Sequence, residues 1–159
     1  MVCSFAANAQ TPFHERFYNH LNKPPKAIRA IVKEDPELAT FRKYKDARDS
    51  VRFLSISITR EFEVTYFVFD GKCHYIAVVD KRQTPEQLLS DFDKRYIRVN
   101  SEDFAYLYEE YSVEGQEVVA VYSDSRVNVG YMVMNFEGRN DGTVFLMYSL
   151  FDDKSFGEF

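Results

Sequence analysis

The chain has 159 residues, of which 45% are apolar and 28% charged, and its formal net charge at pH 7 is −5. This composition is typical of one globular domain, and a chain of this length can bury roughly 70% of the surface that it exposes when unfolded. The acidic balance and the interspersed charges argue against nucleic-acid binding, which needs clustered Lys and Arg. No apolar run approaches the roughly 20 residues that cross a bilayer.

The first segment, MVCSFAANAQTP, bears on the compartment of the protein. Ala7, Asn8 and Ala9 have the small-x-small form that signal peptidase accepts, and a polar stretch follows them. Only six residues, none of them Lys or Arg, precede this site, whereas a complete signal has a basic segment and about 7–15 apolar residues. We expect residues 1–9 to be a truncated signal peptide, so that the protein is periplasmic or secreted. If residues 1–9 are an ordinary N-terminus, the protein is cytoplasmic.

Three helices are predicted in the first 45 residues from apolar side chains three or four positions apart. Their marker residues are Phe13, Phe17 and Leu21 for the first, Ala27, Ile28, Ile31 and Val32 for the second, and Leu38, Phe41 and Tyr44 for the third. The first helix is expected to end before Pro24, and the second is interrupted near Pro36.

The apolar period then changes to 2, which is the period of a strand. Six strands are predicted, at residues 51–59, 62–69, 73–80, 117–122, 127–136 and 143–151. Between the third and fourth strands, Thr84-Pro85-Glu86-Gln87 is a capping-box helix start, and a further helix opens near Ser101. The sequence therefore predicts an α+β fold, with an antiparallel sheet of about six strands and helices on at least one face.

The predicted helices and strands of the first half of the chain resemble those of the second half, which suggests an internal repeat. The stretches VTYFVF (64–69) and VGYMVM (129–134) share a pattern at an offset of 65, and residues 37–44 match 103–110 at an offset of 66. Nearly equal offsets in two separate elements are better evidence of duplication than either match alone. Apolar strands, however, also resemble one another by composition. We therefore favour a single α+β domain over 10–159, and the alternative is a duplication with halves 24–81 and 84–154.

The layout of helices followed by an antiparallel sheet, repeated twice, resembles the tandem architecture of beta-lactamase inhibitory proteins. The stretch YLYEEYSVEGQEVVAVYS, together with DGTVFLMYSL, is similar to small secreted bacterial domains of unknown function. The first resemblance implies two helix–sheet units. Neither resemblance transfers a site residue to this chain.

The residue spacings match no catalytic or metal motif. His14 and His20 lie six positions apart and so about 120° apart around an α-helix, whereas a zinc-protease helix has two His four apart. We expect both to be surface histidines. Cys73 and His74 are adjacent in a strand and point to opposite faces. We predict no cofactor and no metal and favour a non-catalytic protein, although an active site built from distant residues would leave no local motif.

The pair Asp70-Gly71 is a strong hairpin signal. A two-residue type I′ turn there would place Phe69 opposite Lys72 and Phe67 opposite His74. One hairpin face would be core, and the other would mix large apolar groups with polar ones, as a partner surface does. The residues predicted to bind a partner, including two methionines from the equivalent hairpin, are Phe67, Phe69, His74, Ile76, Met132 and Met134. The alternative is that helices cover this face as a second core layer.

Two functions remain open. The favoured one is an exported, non-catalytic module that binds a protein or peptide, a second copy of itself included, through a sheet face. The alternative is a small-ligand-binding or hydrolytic domain with an aromatic pocket between sheet and helices. A large exposed apolar patch would favour the first function, and a closed cavity with several carboxylates would favour the second.

Overall fold

The computed structural model describes residues 12–36, 38, 42–48, 51–57, 61–100 and 102–148. The helices are a 3-10 helix at Phe13–His20 and the α-helices α1 (Pro25–Glu34), α2 (Pro85–Arg95) and α3 (Ala105–Tyr111). The strands are β1 (Arg42–Arg48), β2 (Val51–Ser57), β3 (Phe62–Phe69), β4 (Lys72–Asp80), β5 (Ile97–Arg98), β6 (Gln116–Asp124), β7 (Val129–Phe136) and β8 (Gly142–Tyr148).

The eight strands of the described residues form one antiparallel sheet, in the order β1-β2-β3-β4-β8-β7-β6-β5. The predicted α+β class is confirmed, and all six predicted strands are present. The two further strands are β1 and the two-residue β5, one at each edge.

The helix expected from the spacing of residues 38, 41 and 44 is wrong where β1 lies. This strand pairs with β2 along its whole length, from Arg42 opposite Ser57 to Arg48 opposite Val51. Pairing with a neighbouring strand outweighs a helical spacing of three residues, because local propensity is a weak preference that tertiary contacts override. The sequence of β1, RKYKDAR, has the charged character that natural edge strands use against aggregation.

The turn of the β3–β4 hairpin has the predicted conformation. Asp70 and Gly71 have φ values of 48° and 74°, and a type I′ turn requires positive φ at both central residues. Phe69 pairs with Lys72, as predicted.

The register changes two residues beyond this turn. A β-bulge shifts the pairing so that Phe67 lies opposite Tyr75, whereas the sequence predicted that it would lie opposite His74. Side chains alternate between the faces of a strand, so a shift of one residue moves every later side chain to the other face. The predicted position of Ile76 on the same face as Phe67 and Phe69 was therefore wrong, because its side chain points into the core formed with the 3-10 helix, α1 and α2.

The helices cover the two faces of the sheet unequally. The 3-10 helix, α1 and α2 pack on one face, termed face A, and α3 packs against β6 on the other, termed face B. The face A core includes Phe17, Ile28, Val32, Leu88 and Phe92 from the helices and Val64, Tyr66, Ile76, Tyr122, Tyr131 and Leu146 from the sheet. The buried face B residues are Leu107, Val118, Val121, Met132, Met134 and Met147.

The start of α2 follows the prediction and lies against the start of β8 at one corner of face A. The Thr84 hydroxyl accepts a hydrogen bond from the Gln87 amide (3.3 Å), and the Gln87 side chain accepts one from the Thr84 amide (2.9 Å). The amide of Gly142, at the start of β8, donates to the carbonyl of Gln83 (2.6 Å). A Cβ atom at Gly142 would overlap the Leu88 side chain, so glycine permits this close approach of α2.

Candidate functional site

A cleft of about 370 Å³ opens on face A where the 3-10 helix, the loop before α2, α2 itself and strands β3, β4 and β8 meet. Small-molecule sites typically have volumes of about 300–1,000 Å³. The apolar part of the lining is formed by Phe13, Phe62, Val78, Leu88 and Val144, and its charged or titratable part by His14, Arg16, Asp80, Arg82, Asp91 and Arg95.

One wall of the cleft is a stack of aromatic rings. The rings of Phe13 and Phe62 lie 4.0 Å apart between centroids, with an angle of 31° between their planes. The guanidinium carbon of Arg82 lies 4.2 Å from the centroid of Phe62, which is cation–π geometry. The wall therefore offers apolar ring surface next to a fixed positive charge.

The two carboxylates of the cleft are paired with arginines. Asp80 accepts from Nε and Nη2 of Arg82, both at 3.1 Å, in a bidentate pair. Asp91 accepts from Nε of Arg95 at 3.1 Å, and this contact does not use the two terminal nitrogens of Arg95. Arg16 contributes a third guanidinium to the lining.

His14 forms part of the wall and is almost completely buried. Its Nε2 lies 2.7 Å from the hydroxyl oxygen of Tyr96. Burial lowers the pKa of His14 to about 4, although Glu15 and Asp91 oppose this shift. His14 is therefore uncharged at pH 7, and the charged side chains that line the cleft are those of three arginines and two aspartates.

A polar network behind the cleft holds the 3-10 helix in place. The Tyr96 hydroxyl donates to Glu15, and Arg126 bridges Glu15 (3.1 Å) and Asp124 (2.8 Å). The Tyr18 hydroxyl also donates to Asp124 (3.0 Å). Burial alone would raise the pKa of Glu15, but the hydrogen bonds from Tyr96 and Arg126 help to outweigh it, so that this pKa is lowered. Glu15 is therefore an ionised acceptor.

The prediction that His14 and His20 are surface residues was wrong. His14 is 6% exposed and His20 1%, and Nδ1 of His20 lies 2.8 Å from the Tyr66 hydroxyl oxygen. The segment is a 3-10 helix, which has about 3.0 residues per turn, so residues 14, 17 and 20 share one face. The motif His-x-x-Phe-x-x-His is the sequence signal for this face, and an α-helical period obscures it.

Three of the six residues predicted to form a partner surface lie in the core. Ile76, Met132 and Met134 are each 0% exposed. Ile76 belongs to the face A core because of the bulge, and α3 covers the two methionines on face B. The expectation that these three side chains are exposed was wrong.

The other three predicted residues remain near one another at the tip of the β3–β4 hairpin. Phe69 is 36% exposed, and its ring centroid lies 5.7 Å from that of the exposed His74. Phe67 is half-buried, with its ring 6.0 Å from that of Phe145 on β8. Their role in binding stays a prediction.

No protein-family model matches the sequence, and no curated protein or solved structure is significantly similar to it. The resemblance to tandem inhibitory proteins therefore stays an expectation. Within the part of the chain that the structure describes, no helix combines the length and the apolar character needed to span a membrane.

Proposed function

We propose that this protein is a non-catalytic binding module and that its ligand is a small amphipathic anion held in the face A cleft. The supporting observation is that one cleft combines the Phe13–Phe62 stack with three guanidinium groups and two carboxylates. Arginines outnumber aspartates in this lining, although the formal net charge of the whole chain is −5. An apolar ligand body would pack on the rings, and its anionic group would lie near the arginines.

The arginines favour a carboxylate or a phosphate as the anionic group. A guanidinium presents its N–H donors in a planar fork that matches two oxygens of such a group. Arg82 is held by Asp80 and Phe62, whereas Arg95 contacts Asp91 through Nε and keeps its terminal nitrogens for a second partner. A binding role fits better than hydrolysis, because both carboxylates of the cleft are committed to ion pairs.

The proposal is tested by following backbone amide chemical shifts during titration with benzoate and phenyl phosphate. Benzyl alcohol and benzylamine are the neutral and cationic controls. We expect saturable shifts from the two anions at residues of the cleft and no such response to the controls. Equal responses to all four compounds, or none at the cleft, would contradict the proposal.

A matched pair of arginine variants locates the binding. Arg95→Gln removes a charged donor of the cleft and should weaken anion binding roughly 10- to 100-fold, because hydrogen bonds to charged groups contribute about 1.5–3 kcal/mol. Arg139→Gln is the control, since Arg139 forms a similar pair with Asp141 and does not line the cleft. We expect this control to bind like the parent.

Protein or peptide binding through a sheet face remains a second candidate. It is supported by the hairpin tip, where exposed Phe69 and His74 lie beside the half-buried Phe67. Phe69→Ser should leave stability nearly unchanged and reduce self-association, measured by sedimentation, if this tip is a contact between copies. Export, predicted from residues 1–9, concerns a segment outside the described residues and stays a prediction.

A further inference from the structure

We infer that His14 is a hydrogen-bond acceptor of the cleft through Nδ1, and that the cleft therefore selects amphipathic anions that also have a hydroxyl donor, such as aryl 2-hydroxy acids. This inference rests on the proposed binding of a small anion and narrows the ligand class.

The hydrogen bonds of Tyr96 determine which nitrogen of His14 carries the proton. A tyrosine hydroxyl has a single hydrogen, and Tyr96 donates it to Glu15. The contact between Tyr96 and Nε2 of His14 must then use a proton on Nε2. A neutral imidazole has only one N–H, so Nδ1 of His14 has a lone pair and accepts.

The low proton affinity of His14 supports this assignment. Burial of the ring keeps the pKa of His14 at about 4, and the hydrogen bonds from Tyr96 and Arg126 keep Glu15 ionised. Both conditions hold at pH 7, so the order of donors from His14 through Tyr96 to Glu15 is fixed over the neutral range.

The cleft side of the His14 ring is assigned from the partner of its other nitrogen. His14 lines the cleft, whereas Tyr96, the partner of Nε2, is not among the lining residues. Nδ1 has no hydrogen-bond partner among the described residues. Nδ1 is also not fully buried, because it is absent from the fully buried side-chain polar atoms that have no partner among the described residues. An accessible acceptor of this kind is suited to a donor on a ligand.

Two of the charged residues on α2, Asp91 and Arg95, line the same cleft as His14. In the arrangement that we infer, the carboxylate of the ligand contacts Arg95 and its neighbouring carbon lies next to Nδ1. A hydroxyl on that carbon is the donor that the site would recognise.

The experiment compares three ligands that differ at one position. They are 3-phenylpropanoate, its 2-hydroxy derivative and its 2-methoxy derivative, with affinities measured by calorimetry at pH 7. We expect the hydroxy acid to bind roughly 2- to 10-fold more tightly than the unsubstituted acid, as one neutral hydrogen bond allows. The methoxy acid, which keeps the oxygen and lacks the donor, should show no such gain.

Two variants and one spectrum test whether His14 causes the preference for the hydroxy acid. His14→Phe should abolish the preference for the hydroxy acid while anions still bind. Tyr96→Phe, which leaves His14 in place and frees its tautomer, should reduce the preference. The ¹⁵N spectrum of the parent should show the Nε2–H tautomer of His14, and an Nδ1–H tautomer would overturn the inference.

The outcomes separate this inference from the proposed function. If all three acids bind equally and Arg95→Gln weakens them equally, the anion site stands and the role of His14 is refuted. If none of the three acids binds, both proposals fail.

Discussion

The cores on face A and face B pack against the same sheet but differ in their side-chain contacts. On face A, the hydroxyls of three buried tyrosines each have a polar partner: Tyr66 contacts His20, Tyr122 donates to Asp93, and Tyr131 donates to Asp124. These partners lie on the 3-10 helix, on α2 and on β6. Since a buried hydroxyl without a partner costs about 1–3 kcal/mol, each tyrosine favours one position of the element that holds its partner.

The fully buried side chains of the described face B core are all apolar. It contains one leucine from α3, two valines and three methionines, and α3 itself is only seven residues long. Methionine fills irregular space without fixing a geometry. The comparison indicates that paired polar groups position the elements of face A, which is the face that holds the cleft, and that face B is stabilised by apolar burial.

The largest expected difference between the faces is their response to acid. On face A, burial lowers the pKa of His14 and of His20 to about 4. Nearby carboxylates oppose this shift without cancelling it: those of Glu15, Asp91 and Asp124 for His14, and that of Asp35 for His20. The unfolded chain takes up these protons near pH 6.5 and the folded chain does not. Stability is therefore complete above about pH 6.5 and falls between pH 6.5 and 4, by on the order of 3 kcal/mol for each histidine.

Urea unfolding at a series of pH values measures this loss. The informative window is about pH 6 to 5, which lies above the pKa values of ordinary carboxylates. His20→Gln keeps a group that can bond Tyr66 and does not titrate, so its stability should depend less on pH than that of the parent. A parent protein equally stable at pH 7 and pH 5 would refute the burial of neutral histidines.

Truncation of face B residues is expected to have the next largest effect and to separate core from surface. Met132→Ala should cost about 2–5 kcal/mol of unfolding free energy, because the side chain is 0% exposed and its removal leaves a cavity. Phe69→Ala, on the same sheet at 36% exposure, should cost much less. Denaturant unfolding compares the two, and similar midpoints would mean that α3 does not cover Met132.

The contact between α2 and β8 on face A should respond to a single methyl group. Gly142→Ala would place a Cβ against the Leu88 side chain, and we expect a loss of about 1–3 kcal/mol, as for other overpacked sites. The double variant Gly142→Ala/Leu88→Ala removes the overlap. In a double-mutant cycle, the double variant should lose less unfolding free energy than the two single variants lose together. Strictly additive losses would exclude this contact.

The smallest effect is expected at Thr143, which follows Gly142 on β8 and points away from the cleft. Its hydroxyl oxygen is the one fully buried side-chain polar atom among the described residues that has no hydrogen-bond partner. Thr143→Val replaces this hydroxyl with a methyl group of similar size, so we expect unchanged or higher stability, by up to about 1 kcal/mol. Thr65→Val, at a half-exposed position, is the control. A clear loss of stability in Thr143→Val would show that the hydroxyl has a partner.

Much of the fold could be predicted because its elements show regular periods. The alternating strands and the capping box of Thr84 and Gln87 were identified from the sequence, and both are present. The candidate site could not be predicted in this way. Its residues come from the 3-10 helix, β3, β4, α2 and β8, and a cleft assembled from such distant segments has no local motif.

The sequence by itself determined the turn at Asp70-Gly71 and the start of α2, because each depends on backbone preferences and hydrogen bonds within four residues. Only the tertiary structure decided the strand character of β1, which forms by pairing with β2. The tertiary structure also decided the burial of His14, whose partner Tyr96 lies 82 residues away. The physical reason is the range of the interaction: short-range contacts act on any chain with those residues, whereas long-range contacts exist only after the sheet and its helices have assembled.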